Sequence, residues 1–96
     1  MDESYILQNI KFEWNHEKAE NNFRKHGVDF QTACEVFFDP FLLPSDEQII
    51  DGELRDTVVG MAENWQILYV VYLIRNDTVR LISARPVTKR ELRDYE

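Results

Sequence analysis

Apolar positions fall in two regimes along the chain, and the change between them lies near residue 54. From Tyr5 to Trp14, Ile6, Ile10, Phe12 and Trp14 alternate with polar residues, which predicts a first strand. Asn15 then offers an N-cap for a helix through about Lys25, with Ala19 and Phe23 at i, i+4 and Gly27 where a left-handed residue ends it. Asp29 offers a second cap, for a helix over 30–38 whose Phe30, Ala33, Cys34 and Phe37 form an apolar stripe before Asp39-Pro40 stops it. Residues 40–52, rich in acids and turn formers, read as a loop.

Beyond it the period becomes that of sheet. Leu54–Met61, Trp65–Arg75 and Thr78–Arg85 are joined by connections short enough for antiparallel hairpins. The middle segment is apolar on both faces and predicts a central strand covered on both sides. Thr88 and Glu91 stand at capping-box spacing, so a short helix begins near Lys89, with Leu92 and Tyr95 at i, i+3 as its docking face. The expectation is an α+β fold: two N-terminal helices, an antiparallel β-meander and a short C-terminal helix, in one domain spanning 1–96.

Composition narrows the class. Hydrophobic residues make up 44% of the chain, with three Gly, three Pro and no repeat, which fits a globular domain. Cys34 is the single cysteine; it excludes an internal disulfide and, set among Ala33, Val36 and Phe37, reads as a buried small side chain. No leader-like or membrane-spanning apolar run is present, which predicts a cytoplasmic protein without membrane contact. The net charge of -7, taken whole, argues against non-specific nucleic-acid binding. Its distribution changes that: residues 1–60 hold five Lys/Arg against thirteen Asp/Glu, while 75–93 hold six cations against two anions. A basic surface on an acidic body can hold a polyanion with strong salt dependence, and the acidic part suits a basic partner.

Candidate chemistry centres on the arginines. RNA cleavage by the adjacent 2′-OH passes through a phosphorane whose extra negative charge fixed guanidinium groups stabilise. In an unbroken strand Arg80 shares a face with Ile82 and Ala84, while Arg85 shares one with Val79, Leu81 and Ser83. Both line one site only if a bulge or the strand end at Pro86 redirects one of them. Arg55 is an independent third candidate, and a solvated surface arginine is the alternative for each. His16 and His26 are too far apart in sequence for a helix-face metal pair, and no carboxylate or cysteine stands at metal-ligand spacing with them, so no metal site is expected. His26, beside Lys25 at a helix C-terminus, reads first as a capping residue. Tyr95 can donate a proton, stack on a base or simply pack the last helix.

Phe12-Glu-Trp-Asn15, Asn22-x-x-Lys25-His26-Gly27-Val28-x-Phe30, Phe38-Asp39-Pro40, Gly52-Glu53-x-Arg55, Gly60 and Ile82-Ser83-Ala84-Arg85-x-x-Thr88-x-x-Glu91-x-x-x-Tyr95-Glu96, taken in order, resemble the BrnT family of type II toxin–antitoxin systems. The resemblance implies a RelE-like ribonuclease toxin without cofactor, neutralised by a BrnA-type antitoxin with a ribbon-helix-helix domain, which alone contacts operator DNA. It implies catalytic roles for Arg55, Arg85, Lys25 and His26, with Arg85 and Arg55 on phosphate and Lys25 or His26 in proton transfer or positioning. Arg80, Tyr95, Lys89 and Arg90 then bind RNA or its phosphates, and Glu53 and Tyr95 are the less certain members of the set. Two positions depart from the family pattern: Asn15 stands where Asp is usual, and Pro86 follows Arg85. A reading from another class is a non-catalytic module that docks the antitoxin and acts as co-repressor.

Overall fold

A computed structural model describes all 96 residues. The chain opens with a hairpin, β1 (Asp2–Leu7) and β2 (Ile10–Asn15), paired from Asp2 opposite Asn15 to Leu7 opposite Ile10. Sequence alternation reads this stretch as one strand. Gln8 and Asn9, at φ 49° and 67°, instead form a two-residue turn whose left-handed backbone conformation matches the twist of a hairpin's strands. The turn resets parity, so Phe12 and Trp14 are buried while Ile6, expected beside them, points outward and is exposed.

Helix α1 (His16–His26) starts where Asn15 accepts from the Lys18 N–H and stops at Gly27, φ 71°. Helix α2 (Phe30–Glu35) is capped by Asp29 accepting from Thr32 N–H; the expected single helix over 30–38 finishes as a 3₁₀ turn at Val36–Phe38. Phe30, Ala33 and Cys34 are buried as the stripe predicts, but its fourth member Phe37 is only half-buried, and Val36 is buried because the helix tightens there to a 3₁₀ turn; burial pushes the Cys34 thiol pKa far above its ordinary value. Phe23, by contrast, is more than half exposed.

Residues 40–52 hold two short strands that the loop reading does not contain, β3 (Leu43–Pro44) and β4 (Gln48–Ile50), both antiparallel to β5 (Glu53–Met61). Strands β6 (Ile67–Arg75) and β7 (Thr78–Pro86) complete the meander; β6 begins two residues later than the pattern suggests, because Trp65 adopts φ 71° in the preceding turn. Helix α3 (Lys89–Tyr95) carries the expected capping box, Thr88 and Glu91 each bonding the other's backbone N–H.

The seven strands form one sheet in the order β1-β2-β7-β6-β5-β3, with β4 also on β5. The meander is antiparallel as expected, but the hairpin joins it through a parallel contact of β2 with β7, Phe12 opposite Val79. Helices α1 and α2 cover one face, enclosing a core that includes Phe12, Trp14, Phe30, Leu68, Val70, Leu81 and Ala84. On the other face Val59, Tyr69 and Val71 form a smaller cluster closed by Val87 and Tyr95. Short α3 covers only part of that face, and the arginines lie on the remainder.

Candidate nucleic-acid interface

The decisive local feature is in β7. Leu73 stands opposite Arg80 and Tyr72 opposite Leu81, yet Val71 stands opposite Ser83, so Ile82 is an extra residue and the strand bulges there. Leu81 and Ala84 are therefore both buried against the helices, although an unbroken strand would place them on opposite faces. By the same shift Arg80 and Arg85 emerge together on the opposite face, one beside Leu73 and the other beside Tyr69. Four residues of β6 separate those levels, roughly 13 Å of strand. On β5, extending the pairing of Thr57 with Val71 by two residues places Arg55 beside Leu73. Arg55 and Arg80 thus flank β6 at one level, with backbones about 10 Å apart.

The three guanidinium groups differ in what already holds them. Arg80 is clamped by Asp2, with bonds of 3.0 and 3.1 Å, and by Glu13 at 2.6 Å, which ties β1 and β2 to β7. Arg85 lies 4.1 Å above the Tyr69 ring centroid and donates to Glu91 at 2.8 and 2.9 Å and to the Pro86 carbonyl at 3.2 Å. Bonding to these carboxylates raises both arginines above the usual guanidinium value, and the Arg85 bond holds Glu91 below the usual carboxylate value. Arg55 is different. Its side chain is 13% exposed, its nearest acidic oxygen, on Glu53, is 3.5 Å from Nε, and that buried Nε has no hydrogen-bond partner. A buried cationic N–H without an acceptor is a vacancy suited to an anionic oxygen.

Lys25 and His26 close the last turn of α1 and line a cleft of about 210 Å³ with Asn22, Ile82 and Ser83. Asn22 fixes that juxtaposition. Its amide donates to the Ala84 carbonyl at 2.8 Å and to the Val28 carbonyl at 3.0 Å, and its oxygen accepts from Ala84 N–H at 3.0 Å. The side chain thus serves the β7 edge where β2 has ended. Ser83 shares its face with Arg85, which does not itself line the cleft. Arg55 lies beyond β6 and does not join this group. Lys89 and Arg90 stand exposed at the start of α3. Tyr95 packs on the small cluster and donates to Asp39; burial, then that carboxylate, pushes its phenol up to about 12. Glu53 pairs with both Arg55 and Arg75, each at 3.5 Å.

Two contributors carry no sequence signal of their own. Tyr69 is hidden in a wholly apolar strand, and Gln48 in an apparent loop from which it donates to the Tyr69 hydroxyl at 2.9 Å. Ser83 falls within the Ile82-Ser83-Ala84-Arg85 motif, but only the structure sets it beside the cleft. Asn22 had a signal: it interrupts the apolar side of α1 between Ala19 and Phe23. No group of three or more His, Cys, Asp or Glu side chains is placed to hold a metal ion.

Residues 14–91 match the family model described as the ribonuclease toxin BrnT of type II toxin–antitoxin systems. The chain belongs to the BrnT family. The matched span holds all three arginines, Lys25, His26 and Glu91, while Asp2 and Glu13, which clamp Arg80, precede it. Among solved structures, the Brucella abortus ribonuclease toxin BrnT is similar at 18% identity and a TM-score of 0.52, over 79% of this chain and 94% of that one. That likeness shows the α+β BrnT fold. No curated protein matches the chain.

Proposed function

We propose that this BrnT-family toxin cleaves single-stranded RNA without a metal ion, using the substrate's own 2′-OH as nucleophile. The observation that carries the reading is the bulge at Ile82, which gathers Arg80 and Arg85 with Arg55 on a sheet face that the helices leave open. The 2′-oxygen attacks phosphorus, the 5′-oxygen leaves, and the products end in a 2′,3′-cyclic phosphate and a 5′-hydroxyl. Arg85, held over Tyr69, meets the phosphorane charge, where a well-aimed donor is worth roughly 3–4 kcal/mol, and Arg55, across β6 with its open Nε, holds an adjoining phosphate of the same strand. Lys25 and His26, held against Ser83 by Asn22, take the proton-transfer or positioning role. Lys89, Arg90 and Tyr95 extend the contact surface along α3, and Arg80 contributes once phosphate competes with its carboxylates. Of the two carboxylates Asp2 is the exposed one, and its pair with Arg80 holds by only about 1 kcal/mol.

The partner in this reading is a BrnA-type ribbon-helix-helix antitoxin that covers the arginine face and alone contacts operator DNA. The setting is the cytoplasm; no helix is long and apolar enough to cross a membrane. A second reading, an antitoxin-binding co-repressor without catalysis, is favoured by one observation: Arg80 and Arg85 are both already bound to carboxylates.

Purified chain incubated with a long single-stranded RNA in EDTA at low salt separates the two. Cleavage that leaves cyclic-phosphate ends, and that falls by at least about a hundredfold in Arg85→Ala and in Arg55→Ala, supports the nuclease. No cleavage by any form transfers the weight to the co-repressor. Equal cleavage by all three overturns the assigned arginine site.

A further inference from the structure

One end of the helix-covered face is bare and apolar. Ile49 stands opposite Leu54 in the β4–β5 pair. Extending the β5–β6 register, in which Asp56 faces Tyr72, by two residues sets Leu54 beside Ile74, and the Glu53–Arg75 ion pair lies on that same register. Ile74 in turn faces Val79, and Val79 faces Phe12. An apolar row therefore crosses five strands. Its inner end is sealed, with Phe12 fully buried and Val79 packed on the core. Its outer end is open: Ile49, Leu54 and Ile74 are 76%, 56% and 57% exposed. Single exposed apolar side chains are ordinary, whereas three in adjacent cross-strand positions mark a contact surface.

The rim sets the charge of what lies there. Residues 46–56, which carry Ile49 and Leu54, hold Asp46, Glu47, Asp51 and Asp56, while Arg55 and the Glu53 carboxylate that pairs with it lie on the other face. Asp77 sits in the β6–β7 turn beyond Ile74. A second copy of this chain, at net charge -7, would bring the same acids to the contact. Nucleic acid and anionic lipid are repelled for the same reason. A protein segment whose apolar side chains are flanked by lysine and arginine satisfies both features.

We propose that Ile49, Leu54 and Ile74 form the docking site for a short basic amphipathic helix of the antitoxin, its cations meeting Asp51, Asp56 and Asp77. The identity of the partner rests on the toxin–antitoxin reading above; its chemistry rests on the row and its rim. Because the row and the arginines lie on opposite faces, a segment seated here anchors the partner without itself covering the arginines.

The test is titration of isotope-labelled chain with a designed helical peptide of roughly 15 residues bearing leucines at i, i+4, i+7 and lysines on its flanks. A matched peptide with glutamates for lysines is the control. Saturable amide shifts centred on residues 49–56 and 74–79 with the lysine peptide alone, weakened about tenfold in Ile74→Lys and by added salt, are expected. Cleavage of RNA is unchanged in that variant. Shifts centred elsewhere, no saturable shift, or equal binding of the two peptides overturns the site. So does a wild-type dimer that Ile74→Lys makes monomeric, since a second copy then occupies the row. In the wild-type chain, RNA cleavage without any peptide binding removes the docking site alone, and peptide binding without RNA cleavage removes the nuclease reading alone.

Discussion

Asn22→Ala removes three hydrogen bonds from one buried point. The side chain is 7% exposed and serves the Val28 carbonyl and both backbone groups of Ala84. A buried donor or acceptor left alone costs about 1–3 kcal/mol, and water entering beside the Lys25–Ser83 cleft relieves part of that, so a loss of about 3 kcal/mol is expected. Against a total of roughly 5–15 kcal/mol for a domain of this size, it lowers Tm by about 12–24 °C. Urea unfolding followed by fluorescence measures it, because Trp14 is buried and reports the core. Asn22→Asp sharpens the test: it keeps the acceptor for Ala84 N–H but turns oxygen toward two carbonyls. Its carboxyl is then more easily protonated folded than unfolded, so its deficit shrinks as pH falls through the folded pKa, whereas that of the alanine variant does not. A loss under about 1 kcal/mol for alanine, or parallel pH curves for both variants, refutes the assignment of the β7 edge to this side chain.

Gly60→Ala places a methyl 2.9 Å from both Cβ and the carbonyl oxygen of Val36, so the 3₁₀ turn must shift; a loss of about 1–3 kcal/mol in urea unfolding is expected, and an unchanged midpoint refutes the contact. Glu91→Gln lowers stability by about 1 kcal/mol at pH 7 and, by releasing Arg85, tightens RNA binding in filter assays; unchanged affinity counts against Arg85 as a phosphate ligand. Glu91 is held below 4.5 chiefly by its Arg85 bond, so its contribution is present above that value and lost as pH falls through the folded pKa. The variant's stability curve is thus flatter below pH 4.5. His16, between Glu3 and Glu20, is raised above 6.5 first by its bond to Glu3; its contribution is present below 6.5 and lost as pH rises through the folded value. A ring-proton titration midpoint that does not drop in Glu3→Gln contradicts that bond.

What the sequence makes legible is what neighbours in the chain decide. The Asn15 and Asp29 caps, the Gly27 stop and the Thr88–Glu91 box each form between residues a few positions apart, and all are in place. The burial of Cys34 follows from helical period alone. The features that shape the site are set across the sheet. Gln8-Asn9 lacks the glycine that flags a left-handed turn, so the first hairpin is invisible, and with it the parallel seat of β2 on β7. A bulge has no residue signature; Ile82 becomes extra only because β6 pairs on both sides of it. The carboxylates that hold Arg80 come from positions 2 and 13, which no spacing rule connects to it.

The parallel seating of β2 on β7 ties function to the order of synthesis. Strand β7 is the last made and sits inside the sheet, between β2 and β6. Bringing residue 12 to residue 79 closes a loop whose entropy costs on the order of 4 kcal/mol, offset only when the new strand can pair on both edges. A chain still on the ribosome with residues 78–91 unmade has neither Arg80 nor Arg85, no bulge, and no edge for Asn22 to serve. Truncated products of interrupted translation therefore lack two of the three arginines, and the face is completed only when β7 has paired on both edges.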